Sequence, residues 1–126
     1  MSKKDMKKKI LIVDDDEFHL AIANAMLSDE YEIHIVKSGK EALEILSKGF
    51  VPDLILLDVF MPEMDGWETF YKIKAIGFLH TAPVVFVSSA MEAVEGEEAK
   101  EMGVADFIPK PFEKEALLKS VNALIK

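Results

Sequence analysis

The chemistry available to this chain lies in a few side chains placed just after apolar runs. Asp14, Asp15 and Asp16 follow the first run, Asp58 ends another, Ser88 and Ser89 close a third, and Lys110 follows a fourth. Carboxylates gathered within a few ångströms repel one another, and each would take up a proton unless a cation neutralised them. Oxygen ligands without His or Cys select a hard cation. Mg²⁺ suits a site of two or three carboxylates because it keeps several waters and commonly engages a phosphate. The Lys110 ammonium is a compact point charge that can pair with Asp58 or with a phosphoryl oxygen attached to it. Ser88 can donate to the same oxygen. If these groups meet, they can place a phosphoryl group on Asp58, with cation and lysine offsetting the charge on the transferring group.

Whether they meet depends on the elements that carry them. The stretch 54–66, LILLDVFMPEMDG, runs from four apolar residues into Asp58 and on to Asp65-Gly66. That is the pattern of a strand buried on both faces, then a loop and a helix start. Residues 10–13 read as a strand before the acidic turn, and Phe18, Ile22, Ala25 and Met26 then recur at helical spacing. Asp16 is placed to cap that helix rather than to act as a third ligand. Residues 31–36 predict a second strand, and Ser38-Gly39 opens a helix with Leu43, Leu46 and Phe50 as its buried face. Gly49 and Pro52 mark its end.

The third strand is predicted over 53–58, and a helix over 65–76 with Asp65 as N-cap and Phe70 and Ile73 facing inward. Residues 83–87 form a fourth apolar strand. The segment 91–102 carries five glutamates with only Ala93, Val94 and Ala99 as apolar support, so it is the weakest helix and the expected place for mobility. A fifth strand over 105–109 and a helix over 113–125, with Leu117, Val121 and Leu124 on one face, close the chain. Five strand–helix repeats predict one doubly wound α/β domain: a parallel sheet, helices on both faces, right-handed crossovers. Parallel strands present their C-terminal ends together, so the acids, the serines and Lys110 fall on one edge of the sheet.

Composition narrows the partners. A chain of 126 residues, half of them hydrophobic and 30% charged, fits one globular domain. Its net charge of −8 argues against a nucleic-acid surface, which needs clustered Lys and Arg. Without cysteine there is no disulfide, thiolate metal site or Cys nucleophile. No apolar run approaches the roughly 18 residues of a membrane span, and no secretory signal is present, so a cytoplasmic location is expected. Residues 1–8 read as a flexible lysine-rich lead-in and 9–126 as the domain.

In sum, the IVDD acids Asp14 and Asp15, the DxxMPxxDG stretch around Asp58, the VSSA segment with Ser88 and the DFIPKPF segment with Phe107, Lys110 and Pro111 occur in order. The chain resembles a response-regulator receiver domain of two-component signalling across nearly its whole length. The resemblance implies sheet order 2-1-3-4-5 and phosphorylation of Asp58 in a Mg²⁺-dependent reaction. It implies that Asp15 binds the ion directly, that Asp14 sits in the same acid pocket as ligand or through water, and that Phe60 offers its backbone carbonyl. Lys110 would hold a phosphoryl oxygen, with a cis Lys110-Pro111 bond. Ser88 and Phe107 would be the switch pair, though Phe107 also reads as ordinary strand core. Helix four, strand five and helix five would form the readout face.

A histidine kinase or phosphotransfer protein would be the donor, docking near Phe18 and Ile22, and a downstream protein or output domain the receiver of the signal. Such a domain is not an enzyme, although it takes part in its own phosphorylation and dephosphorylation. Phe60 and Ala90 carry side chains that cannot orient an attacking water, so slow loss of the phosphoryl group is expected. Ser89 reads as structural. His19, His34 and His80 stand on separate elements and are expected to converge with nothing. One rival is a haloacid-dehalogenase-like phosphohydrolase with Asp14 of Asp14-x-Asp16 as nucleophile. It leaves Asp58 unexplained and has only Asp106 as a late acidic ligand. The other is a non-phosphorylated module of receiver fold. A chain ending at Lys126 without a linker reads either as a stand-alone receiver or as one domain of a longer regulator.

Overall fold

The apolar runs and the helix caps between them decide the architecture. In the computed structural model, which describes residues 7–76, 82–89, 93–110 and 113–125, strands and helices alternate throughout. They are β1 (Lys9–Val13), α1 (Glu17–Leu27), β2 (Glu32–Val36), α2 (Gly39–Ser47), β3 (Leu54–Asp58), α3 (Gly66–Ala75), β4 (Val84–Ser88), α4 (Ala93–Glu101), β5 (Asp106–Pro109) and α5 (Lys114–Leu124). The five strands are parallel in the order β2-β1-β3-β4-β5, as expected.

Alternation along the strands sends successive side chains to opposite faces and makes two cores. Leu11, Val13, Ile55, Leu57, Val84 and Phe86 pack with Ala42, Leu46, Phe70, Ile73 and Ala99 of α2, α3 and α4. Ile10, Ile12, Leu54, Leu56, Val85 and Val87 pack with Leu20, Ala23 and Leu27 of α1 and with Leu117 and Val121 of α5. All five residues of β3 and all five of β4 are buried. Each large aliphatic side chain so removed from water contributes about 1.5–3 kcal/mol, which fixes the strand register and with it the positions of Asp58 and Ser88.

Side-chain caps set the helix starts. Asp16 accepts from the N–H groups of Phe18 and His19, Ser38 from Glu41, and Asp65 from Glu68. Each thereby satisfies donors that the first turn leaves unpaired.

The buried face of α2 departs from expectation, and that of α1, which the helical period alone left open, is fixed by packing. On α1 the buried stripe is Leu20, Ala23 and Leu27, while Phe18 is 69% exposed, Ala25 is exposed, and Ile22 and Met26 are half-buried. On α2 the buried residues are Gly39, Ala42 and Leu46, with Leu43 and Phe50 packed at the margin. Tyr31 precedes β2 rather than opening it, because its N–H bonds to Leu27 O and closes the end of α1. Residues 1–6, 91 and 92 lie outside the described residues, and so therefore does most of the lead-in.

Candidate functional site

The C-terminal edge of the sheet gathers what the sequence separates. Asp58 is the last residue of β3 and pairs in register with Val87; Ser88 follows on β4 and pairs with Pro109 of β5. The backbone N–H of Lys110 donates to Ser88 O at 3.0 Å, which brings Lys110 back beside β4. Asp14 leaves β1 with its N–H on Val36 O, and its Oδ1 accepts from Asp16 N–H at 2.9 Å. That bond folds the acidic turn inward before α1 begins. Asp14, Asp58 and Ser88 are buried, at 4%, 6% and 2% exposure, whereas Asp15 and Asp16 are exposed. Phe60 lines the mouth of the crevice with its side chain mostly in solvent.

Lys110 crosses the floor of this crevice. Its Nζ donates to Asp14 Oδ2 at 2.7 Å and lies 3.5 Å from Asp58 Oδ1, with the lysine and aspartate side chains almost wholly out of solvent. One carboxylate oxygen each of Asp14, Asp15 and Asp58 fall within 4.8 Å of one another. Burial first, then the charge of Asp14, pushes the Asp58 carboxyl up to about 6; Lys110 pulls it back and Asp15 adds to the rise. A single ammonium thus offsets only part of the negative charge of three acids. The oxygen-only donor set, its spacing and its surplus charge fit a small hard divalent cation held by Asp14, Asp15 and Asp58.

The structure brings together Asp14, Asp15, Asp58, Phe60, Ser88 and Lys110 around one crevice. Phe107 sits one layer away, paired in register with Phe86 and packed half-buried against the core of that face. Asp16 is the α1 cap, as expected. Pro111, and with it the expected cis bond, lies outside the described residues, as do Ala90 and His80.

One expectation fails. His19 does not stand apart: its Nδ1 is 2.9 Å from Lys110 Nζ, 3.5 Å from Asp16 Oδ2 and 3.8 Å from Asp14 Oδ2. The cause is the Asp16 cap, which starts the helix at Glu17 and places His19 in its first turn, over the end of β1. The sequence signal for it is slight, a histidine in the first turn after an acidic strand end. His34, by contrast, is satisfied on β2 by Glu32 at 2.6 Å and by the Phe50 ring.

Comparison with known proteins agrees with this fold. The family model of the response regulator receiver domain matches residues 10–122. The transcriptional regulatory protein CpxR of Escherichia coli is 31% identical over 119 residues, which is 94% of this chain and 49% of that protein. The response regulator PleD of Caulobacter vibrioides is 34% identical over 122 residues, 96% of this chain and 27% of that protein. The chain thus spans about half or less of the length of these curated relatives. Among solved structures, the signal receiver domain of a signal transduction histidine kinase from Syntrophus aciditrophicus superposes with a TM-score of 0.82 at 34% identity, covering 94% of this chain and 89% of that one. The chemotaxis response regulator CheY4 of Vibrio cholerae gives a TM-score of 0.84 at 28% identity, covering 94% and 98%. The order of the sheet, the acidic crevice at its C-terminal edge and these likenesses agree: the chain belongs to the response regulator receiver domain family of two-component signalling.

Proposed function

We propose that this receiver accepts a phosphoryl group on Asp58 and passes the change on by protein contact. The observation that carries this reading is Asp58 itself, a buried carboxylate at the strand edge with two other acids within 4.8 Å and an ammonium at 3.5 Å. A carboxylate oxygen of Asp58 attacks the phosphorus of a phosphohistidine or an acyl phosphate. The new O–P bond forms as the bond from phosphorus to the donor breaks, and the donor leaves with its electron pair. Lys110 stays protonated and moves toward the phosphoryl oxygens, while Ser88 donates to one of them.

Asp14, Asp15, Asp58 and the Phe60 carbonyl are the proposed ligands of Mg²⁺, which when bound supplies charge neutralisation for the transferring group. Lys110 and Ser88 contact the phosphoryl group in only one of two conformers, and that difference shifts the population. Phe107 would follow Ser88 inward, and the face of α4, β5 and α5 would meet a downstream protein or output domain. The donor would be a histidine kinase or phosphotransfer protein. Residues 9–126 would form the receiver unit behind a lysine-rich lead-in, working in the cytoplasm; no helix among the described residues is long and apolar enough to cross a membrane. With an exposed phenylalanine at Phe60, the phosphoryl group would be lost slowly.

The test is intact mass after incubation with acetyl phosphate, with and without Mg²⁺, for the parent and for Asp58→Ala. A Mg²⁺-dependent gain of one phosphoryl group that vanishes in the variant is expected. An adduct that persists in Asp58→Ala would point to Asp14 instead, and turnover of a generic phosphomonoester would make the chain an enzyme.

A further inference from the structure

We propose that His19 is a positioning residue for Lys110: its Nδ1 accepts the third N–H of the ammonium and holds it on the α1 side of the crevice, against Asp14. The role of the held lysine presupposes phosphorylation of Asp58. An ammonium has three donors and no acceptor. Here they face Asp14 Oδ2 at 2.7 Å, His19 Nδ1 at 2.9 Å and Asp58 Oδ1 at 3.5 Å. Because Nζ can only donate, Nδ1 must be the ring nitrogen without a proton, and the imidazole is the neutral tautomer with its proton on Nε2. The approaches of Nδ1 to Asp16 and Asp14, at 3.5 and 3.8 Å, are both longer than its contact with Lys110.

The consequence follows from the inequality of the two lysine–carboxylate distances. Lys110 rests nearer Asp14 than Asp58, and His19 is the neutral group that adds to the pull in that direction. Two events must draw the ammonium away: a cation claiming Asp14, and a phosphoryl group on Asp58 offering stronger acceptors. His19 opposes both by the same bond. It sets how readily the lysine is handed from the resting arrangement to the phosphorylated one, and it does so without touching the phosphoryl group.

The experiment compares the parent chain, His19→Leu and His19→Asn. Leucine removes the acceptor at similar bulk, while the asparagine Oδ1 branches from the same atom as Nδ1 and can accept in its place. The first readout, on metal-free and unphosphorylated protein, is the hydrogen-exchange rate of the Lys110 ammonium by nitrogen-15 NMR. Exchange is expected to rise about tenfold in His19→Leu, the loss of one bond to a charged donor, and to stay near the parent rate in His19→Asn. The second is the half-saturating Mg²⁺ concentration, expected to fall about threefold in His19→Leu and to return toward the parent value in His19→Asn.

An unprotected Lys110 ammonium in the parent overturns the proposal. So does unchanged exchange in His19→Leu, an equal loss of protection in both variants, or Mg²⁺ affinity that does not rise in His19→Leu. Neither readout needs a phosphoryl group, so failure here leaves the Asp58 reading standing. Loss of that reading in the mass experiment leaves the His19–Lys110 bond standing.

Discussion

Lys110 Nζ lies 2.7 Å from Asp14 Oδ2 but 3.5 Å from Asp58 Oδ1, so the lysine in its resting position serves Asp14 before Asp58. Both aspartates are buried, and this ammonium is the cation the structure shows between them. Removing one partner from a buried ion pair leaves an uncompensated charge, which costs about 3–5 kcal/mol. Lys110→Met is therefore expected to lose about 3 kcal/mol of stability when metal-free, and to recover more on adding Mg²⁺ than the parent does, since the ion replaces the missing positive charge. Urea unfolding of both proteins with and without Mg²⁺ measures this. Equal gains from Mg²⁺ in the two proteins would contradict it.

The raised Asp58 carboxyl makes stability depend on pH with a definite sign. Unfolded, the group ionises near 3.8; folded, burial and Asp14 hold the proton until about 6. Between these values the native state binds more protons than the unfolded state, so stability falls as pH rises. Below 3.8 neither form pays, and above about 6 the cost is present in full, roughly 3 kcal/mol for a shift of this size. The metal-free parent is expected to lose that much stability across this window relative to Asp58→Asn, which cannot ionise. A flat difference between the two proteins across the window would show that Asp58 ionises normally in the fold.

The three consecutive acids are expected to separate by role. Asp15 offers an oxygen to the cluster, whereas Asp16 is engaged with the N–H groups of Phe18 and His19. Asp15→Ala should weaken Mg²⁺ binding by an order of magnitude or so. Asp16→Ala should leave Mg²⁺ affinity within about twofold while lowering thermal stability through the lost cap. Isothermal titration with Mg²⁺ and a thermal melt distinguish the two. Strong loss of Mg²⁺ binding in Asp16→Ala would make it a ligand.

The roles of Asp16 and Asp65 were legible because capping is local: the side chain, the spacing and the helix it starts all lie within a few residues. Sheet order and the site edge were legible for a different reason. Strands buried on both faces are continuous apolar runs, and parallel strands end together. The inward face of α1 was not legible, because Phe18, Ile22, Ala25 and Met26 fit the helical period as well as Leu20, Ala23 and Leu27 do. Only packing against β1 and β3 chooses the second set. Nor was His19 legible beside Lys110, since 91 residues separate them and no periodicity links a first helical turn to the end of a distant strand. The closeness of Lys110 to Asp14 is hidden in the same way: their places at the ends of parallel strands bring acids and a lysine to one edge, and only geometry shows which acid is served.

Gly66 ties the α3 start to the backbone of the acceptor itself. Its N–H donates to Val59 O at 2.8 Å, and a Cβ built on it would fall 2.5 Å from Asp58 O and 2.7 Å from Val59 Cα. Both are main-chain atoms of a buried strand end, so no side chain can swing away to make room. Gly49 is the contrast: its φ is +103°, yet nothing lies within 4 Å of where its Cβ would stand. Alanine at 66 must push the end of β3 or lift the first turn of α3, at a cost of about 1–3 kcal/mol. Because the displaced atoms belong to Asp58 and Val59, the carboxylate should move with them. Gly66→Ala is therefore expected to lower both stability and the Mg²⁺-dependent rate of adduct formation from acetyl phosphate. Asp65→Ala, which loses the adjoining cap at a comparable cost of about 1 kcal/mol, should leave that rate near the parent value. Equal rates in all three proteins would mean that the strand end absorbs the methyl group without moving the acceptor.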